Sequence, residues 1–108
     1  MNADNLLAKM PKELPEELVT RLVEAEGVRI ERIVSRGHAS PPGFWYDQSQ
    51  HELVVLLQGQ ATVEFDDSRG TVEMVRGSWL NIPAHCKHRV AWTDPADETV
   101  WLAVHYGP

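Results

Sequence analysis

The pattern of apolar and polar positions changes period near Gly27. Before it, Leu14, Leu18, Val19, Leu22 and Val23 recur at the spacing of one helical face, which predicts a helix over Pro15–Ala25. Pro15 suits a first helical turn and Gly27 a helix stop. Leu6, Leu7 and Met10 group in the same way and predict a shorter helix over Ala3–Met10, ended by Pro11. After Gly27 the period falls to two. Val28 and Ile30 alternate with Arg29, and Ile33-Val34 follows. Leu53–Leu57 is unbroken and apolar, the mark of a strand covered on both faces. Ala61, Val63 and Phe65 alternate with Thr62 and Glu64, and Val72 and Met74 flank Glu73. Ser78–Ile82, His88–Trp92 and Thr99–Tyr106 complete the set, with turns at Ser40–Gly43, Gly59, Asp66–Gly70, Gly77 and Asp94-Pro95. About seven or eight short strands, roughly 8–12 residues apart, predict an all-β sandwich or barrel. The expected organisation is a helical leader over residues 1–27, packed on a barrel domain over residues 28–108.

Composition narrows the function classes. The chain has 108 residues, enough for one domain, and 43% of them are apolar. Sixteen acids against ten bases give a net charge of −6, without the clustered positive field that nucleic acid requires. No apolar run approaches the roughly 18 residues of a membrane span. The first residues lack the basic and apolar regions of a signal peptide. Cys86 is the single cysteine and has no internal disulfide partner, so a reducing cytoplasm is the expected compartment. No G-x-S-x-G elbow, phosphate loop or CxxC pair is present.

The informative spacing begins at Glu52. Six residues separate it from Gly59, and seventeen more lie before Gly77. Five residues separate Gly77 from Pro83, and His88 follows five positions later. This resembles the cupin family, whose two motifs are G-x5-H-x-H-x3-4-E-x6-G and G-x5-P-x-G-x2-H-x3-N, over about residues 40–92. The segments Phe44–Gln48, Pro83–Val90 and Trp101–Tyr106 look further like small, stand-alone bacterial cupins with a helical leader. The resemblance implies a double-stranded β-helix barrel. It also implies a divalent metal (Mn, Fe, Ni or Zn) held by the motif's histidines and glutamate. Only Glu52 and His88 match those positions. The two earlier histidines are replaced by Tyr46 and Gln48, or in the other register by Trp45 and Asp47. Ser40, His85 and Trp92 stand at the positions of a glycine, a second glycine and the asparagine.

The resemblance implies Glu52 and His88 as metal ligands; residues 46, 48 and 52 share one strand parity, so Gln48 is expected beside them as a third ligand and Tyr46 as the catalytic or substrate-contacting group. Asp47 and His51 flank that set and would join it through a bulge. The alternative without metal is a Glu52–His88 hydrogen bond in a degenerate pocket. His85 reads as a turn residue and His38 as a solvated loop residue. His105 is expected on the outer face of its strand, because Val100, Leu102 and Val104 form the aliphatic one. Trp79 and Trp92 are expected in the core. Cys86, beside Lys87, lacks a base partner and is not expected to act as a nucleophile. The Leu53/Val55/Leu57 face needs a cover, and the resemblance makes that cover a partner subunit in a homodimer. Three functions follow, the first two being a metal-assisted enzyme acting on a small polar molecule and a non-catalytic barrel that binds and senses one. A structural dimer with a vestigial pocket is the third.

Overall fold

A computed structural model describes all 108 residues, and it is all-β. Eight strands follow in order: β1 (Leu18–Ala25), β2 (Val28–Ser35), β3 (His51–Gln58), β4 (Ala61–Phe65), β5 (Thr71–Met74), β6 (Trp79–Ile82), β7 (His88–Thr93) and β8 (Thr99–Tyr106). They form a five-stranded sheet in the order β1-β2-β8-β3-β6 and a three-stranded sheet in the order β5-β4-β7. All pairings are antiparallel. The inner faces meet in a core of Val54, Leu56, Ala61, Val63, Phe65, Met74, Ile82 and Trp101. No helix is long and apolar enough to cross a membrane.

The predicted N-terminal helices are absent. Residues 18–25 of the predicted helix form β1 instead, joined to β2 through Glu26 and Gly27, with Gly27 at φ 75°. The register of β1 on β2 shifts between Arg21 and Val23. That irregularity moves the alternation by one residue, so Leu18, Val19, Leu22 and Val23 fall at distances that mimic a helical face. The β-branched Val19, Thr20 and Val23 suit a strand. Residues 3–10 hold only a turn, with the Asn5 side-chain oxygen accepting from the Leu7 N–H at 2.7 Å. This segment is strapped down by two guanidinium groups. Arg32 Nη1 donates to the carbonyls of Leu6 (3.1 Å) and Ala8 (2.9 Å). Arg36 reaches the carbonyls of Pro11 and Lys12.

The five-stranded sheet reverses the expected polarity. On β2, Arg29, Glu31 and Ile33 face the interior cavity; on β8, Trp101 and His105 do. The aliphatic sets Val28/Ile30/Val34 and Val100/Leu102/Val104 therefore lie on the outer face, where Ile30 opposes Val104, Val34 opposes Val100, Leu53 and Val55 of β3 oppose Val104 and Leu102, and Arg32 stands opposite Leu102. Leu53–Leu57 is fully buried only through its inward members, Val54 and Leu56. Trp79 and Trp92 are not core residues. They are 64% and 41% exposed, and Trp101 fills the interior instead.

Candidate functional site

The cavity between the sheets has a volume of about 260 Å³, near the lower end of ordinary small-ligand sites. Its apolar lining includes Ile33, Val54, Val63, Ile82, Val90 and Trp101. Its polar groups fall into two clusters, set by strand register.

The first cluster joins Glu52, His88, Gln48 and Tyr46. Glu52 is on β3 and His88 opens β7 on the facing sheet. Tyr46 and Gln48 lie in the loop before β3, yet both are fixed by backbone pairing. The Tyr46 N–H donates to the His88 carbonyl at 2.7 Å, and the His88 N–H returns the bond at 3.2 Å. The His85 N–H donates to the Gln48 carbonyl at 2.7 Å. The Tyr46 ring stacks on the His88 imidazole, with centroids 5.5 Å apart. His88 Nε2 lies 3.4 Å from Glu52 Oε1, and Gln48 Nε2 donates to the same oxygen at 3.0 Å. Glu52 Oε2 has no protein hydrogen-bond partner and is free to meet a ligand.

The tautomer of His88 follows from its other nitrogen. Nδ1 lies 2.8 Å from the Cys86 carbonyl, which can only accept, so Nδ1 carries a proton. Nε2 is then the titrating atom, and it faces Glu52. Burial works against the charged imidazole, but hydrogen bonding to Glu52 and to the Cys86 carbonyl outweighs it and raises the His88 pKa. Burial also works against the Glu52 carboxylate. Hydrogen bonds from His88 and Gln48 and the charges of His105 and His88 prevail, and the Glu52 pKa is lowered. Tyr46 is raised by burial and then by the Glu17 and Glu52 charges, so its phenol remains a proton donor.

The second cluster is Arg29, Glu31 and His105. In the sheet, Glu52 stands opposite His105, and His105 opposite Arg29. One row across β3, β8 and β2 thus runs carboxylate, imidazole, guanidinium. Glu31, two residues along β2 on the same face, lies 3.6 Å from His105 Nε2 and 3.5 Å from Arg29 Nε.

Of the residues singled out from sequence, Tyr46, Gln48, Glu52 and His88 converge, and all four line the cavity. His51 faces away: its Nδ1 accepts from the Ala84 N–H at 3.0 Å and its ring lies against Tyr106. Asp47 and His85 pair with each other at 2.7 Å, both well exposed, and His85 has the positive φ (61°) of a turn residue. His38 lies in a loop as expected but is half-buried, its carbonyl accepting from Thr93. Cys86 is partly buried, with Arg69 Nη2 at 2.8 Å from its sulfur. His105 is a correction. It is only 6% exposed and belongs to the cavity wall, because the interior of this barrel is the polar face of β8. Arg29 and Glu31 escaped notice for the same reason, although their alternation with Val28 and Ile30 carries the signal once the polarity is known.

The donor set is thin for a resident metal. No three His, Cys, Asp or Glu residues gather around one point, whereas a catalytic ion usually has three strong protein ligands. Glu52 and His88 face each other, and Gln48 turns its amide nitrogen to the carboxylate.

Two antiparallel sheets enclosing a cavity, with a glutamate on β3 facing a histidine on β7, define a double-stranded β-helix barrel. The chain has the cupin fold. It is 48% identical to a protein of Ralstonia eutropha JMP134 described as a "putative mannose-6-phosphate isomerase", over 100% of both chains and with a TM-score of 0.95. It also resembles a cupin superfamily protein of Desulfitobacterium hafniense DCB-2 (20% identity, 92% of this chain and 84% of that one, TM-score 0.74). An RmlC-like cupin of Methanocaldococcus jannaschii with a double-stranded β-helix fold shares 19% identity over 91% of this chain and 86% of that one, with a TM-score of 0.69. No family model and no curated protein matches the chain.

Proposed function

We propose that the barrel binds a small polar molecule and exchanges a proton with it through the Glu52–His88 pair. The observation that carries this reading is the geometry of the pair: the Glu52 carboxylate and the His88 imidazole lie 3.4 Å apart in the cavity wall, with the Gln48 amide donating to the carboxylate. Glu52 Oε2 is the base, and Tyr46, stacked on His88, supplies a neutral hydroxyl donor at the mouth. The Ralstonia relative supports the class, since an aldose–ketose isomerisation moves a proton between neighbouring carbons. Its printed substrate transfers less well, because Arg29 is the single lysine or arginine that lines the cavity, a sparse anchor for a dianionic phosphate ester.

Deuterium uptake tests the proposal. The protein is incubated in D2O with hexoses, hexose 6-phosphates and short hydroxy- and keto-acids, and carbon-bound deuterium is followed by NMR. Wild type incorporates deuterium beside the carbonyl of at least one compound, and Glu52→Gln does not. Uptake that survives Glu52→Gln, or no uptake from any compound while ligands still bind, leaves a binding barrel rather than an enzyme.

A divalent metal on Glu52, His88 and Gln48 is the second reading, favoured by the convergence of the three side chains. Metal analysis of the purified protein decides it. The outer aliphatic face of the five-stranded sheet fits a second copy of the chain, so the working unit is proposed to be a homodimer. Cys86 as a free thiol suits a reducing cytoplasm.

A further inference from the structure

Negative charge, not positive, is left over in the cavity. Three carboxylates line it, those of Glu17, Glu31 and Glu52, against the single guanidinium of Arg29. Arg29 already faces Glu31 at 3.5 Å, and Arg21 is shared between Glu24 (3.1 Å) and Glu31 (3.6 Å), so neither guanidinium is left to hold an anion. Glu52 faces His88 at 3.4 Å. Glu17 is the lining carboxylate without a Lys, Arg or His partner. The group bound to it is neutral: the Ser35 hydroxyl donates to its Oε2 at 2.5 Å. Ser35 is fully buried and shares the inward parity of Glu31 and Ile33 on β2, so this bond turns the Glu17 carboxylate toward the cavity and leaves Oε1 free.

Spare acceptors run deeper into the wall. Glu31, only 9% exposed, accepts no hydrogen bond; Arg29, Arg21 and His105 stand 3.5, 3.6 and 3.6 Å from it, beyond ordinary hydrogen-bond length. Glu52 Oε2 is also without a donor. Buried carboxylate oxygens are rarely left so, and a fitting ligand brings donors to them. The aromatic groups favour the same charge. Tyr46 lines the cavity and packs edge to face with Phe44, centroids 4.9 Å apart, and both rings are partly exposed. The phenol lies in the fields of both Glu17 and Glu52. A carboxylate beside an aromatic ring is a favourable setting for an ammonium group, which carries three donors and one charge. Val19, Ile33 and Val90 in the lining suit the carbon frame of an organic cation rather than a hydrated metal ion. The net charge of −6 on the whole chain draws cations toward it.

Resting on the cavity being the ligand site, we infer that the ligand is a small organic monocation, a primary amine bearing hydroxyl or carbonyl groups, with its ammonium held at Glu17 against Tyr46 and its hydroxyl or carbonyl presented to Glu52 and His88.

Three probes with one carbon frame test the inference: 3-amino-1,2-propanediol, glycerol and glycerate, titrated into the wild-type protein while the tyrosine and histidine rings are followed by NMR. The amine is expected to move the Tyr46 resonances saturably and to bind at least about tenfold more tightly than either of the others. Glu17→Gln keeps a carbonyl oxygen for Ser35 and should stay folded by circular dichroism, yet lose that preference. Glu26→Gln removes the same charge from the exposed β1–β2 turn and should keep it. Equal or tighter binding of glycerol or glycerate overturns the inference. So does a lack of response of Tyr46 to millimolar amine, an unchanged preference in Glu17→Gln, or an equal loss in Glu26→Gln. The proton-transfer proposal is separable. If amine preference depends on Glu17 but no compound takes up deuterium, the ammonium site stands and the acid–base role of Glu52 fails. Uptake from a neutral sugar with no amine preference gives the reverse.

Discussion

Two side chains that stabilise each other's charge also set how the protein responds to pH. Glu52 titrates below its usual value of 4.5, so its contribution is present above that pH and is lost as pH falls through the lowered value. His88 titrates above its usual 6.5, so its contribution is complete below 6.5 and is lost as pH rises through the raised value. The pair is therefore worth most between 4.5 and 6.5. Thermal melts across pH should show a plateau there that narrows in Glu52→Gln, with a loss on the order of 1–3 kcal/mol at its centre. An unchanged pH profile in that variant would show that the two groups do not interact. Gln48 supports a second prediction. Gln48→His places an imidazole beside Glu52 and His88, completing three strong ligands, so Zn or Ni affinity measured by calorimetry should rise by at least about tenfold. The motif spacing made Glu52 and His88 legible in sequence; Gln48 was expected from strand parity, but it lies in the loop before β3 and reaches Glu52 from there, its carbonyl held by the His85 N–H. Arg29, Glu31 and His105 were not legible, because apolar alternation says which residues share a face but not which face is inside.

At the scale of the element, β1 shows how a single bulge hides a strand. The residues from Leu18 to Val23 carry apolar groups at helical distances, and only pairing with β2 resolves them as extended. Residues 1–26 therefore supply an edge strand and the carbonyls that satisfy Arg32 and Arg36, rather than a detachable helical cover. Their removal exposes β2 as an unprotected edge and strips acceptors from the buried Arg32. The truncated chain should melt lower and aggregate; equal melting temperature and solubility would contradict this. The turn after β3 was read correctly from Gly59, and the structure adds the reason. Gly59 has φ 92°, and a Cβ there would lie 2.5 Å from Thr99 Oγ1 and 2.8 Å from the Glu98 carbonyl. Gly59→Ala should cost more than about 2 kcal/mol in denaturant unfolding, more than a surface substitution does.

For the whole molecule, strand count and motif spacing were enough to identify the barrel, while its inverted polarity became visible only in three dimensions. A polar cavity inside the five-stranded sheet leaves Ile30, Leu53, Val55, Leu102 and Val104 on the outer surface, with Val23 and Trp79 at its margins, 48% and 64% exposed. An apolar face of that continuity fits an interface. Sedimentation should find a dimer that Val55→Lys or Leu102→Glu converts to a folded monomer. A wild-type monomer at micromolar concentration would refute the homodimer. The same inversion concentrates ionisable groups inside, where a cavity wall strengthens their coupling.

That coupling is most directly read at His88. An NMR titration of the His88 ring in wild type and Glu52→Gln measures the two groups against each other. The midpoint should lie above 6.5 in wild type and fall in the variant, with Nδ1 protonated throughout by its bond to the Cys86 carbonyl. A midpoint at or below 6.5, or one that Glu52→Gln leaves in place, would contradict an acid–base pair at the centre of the cavity.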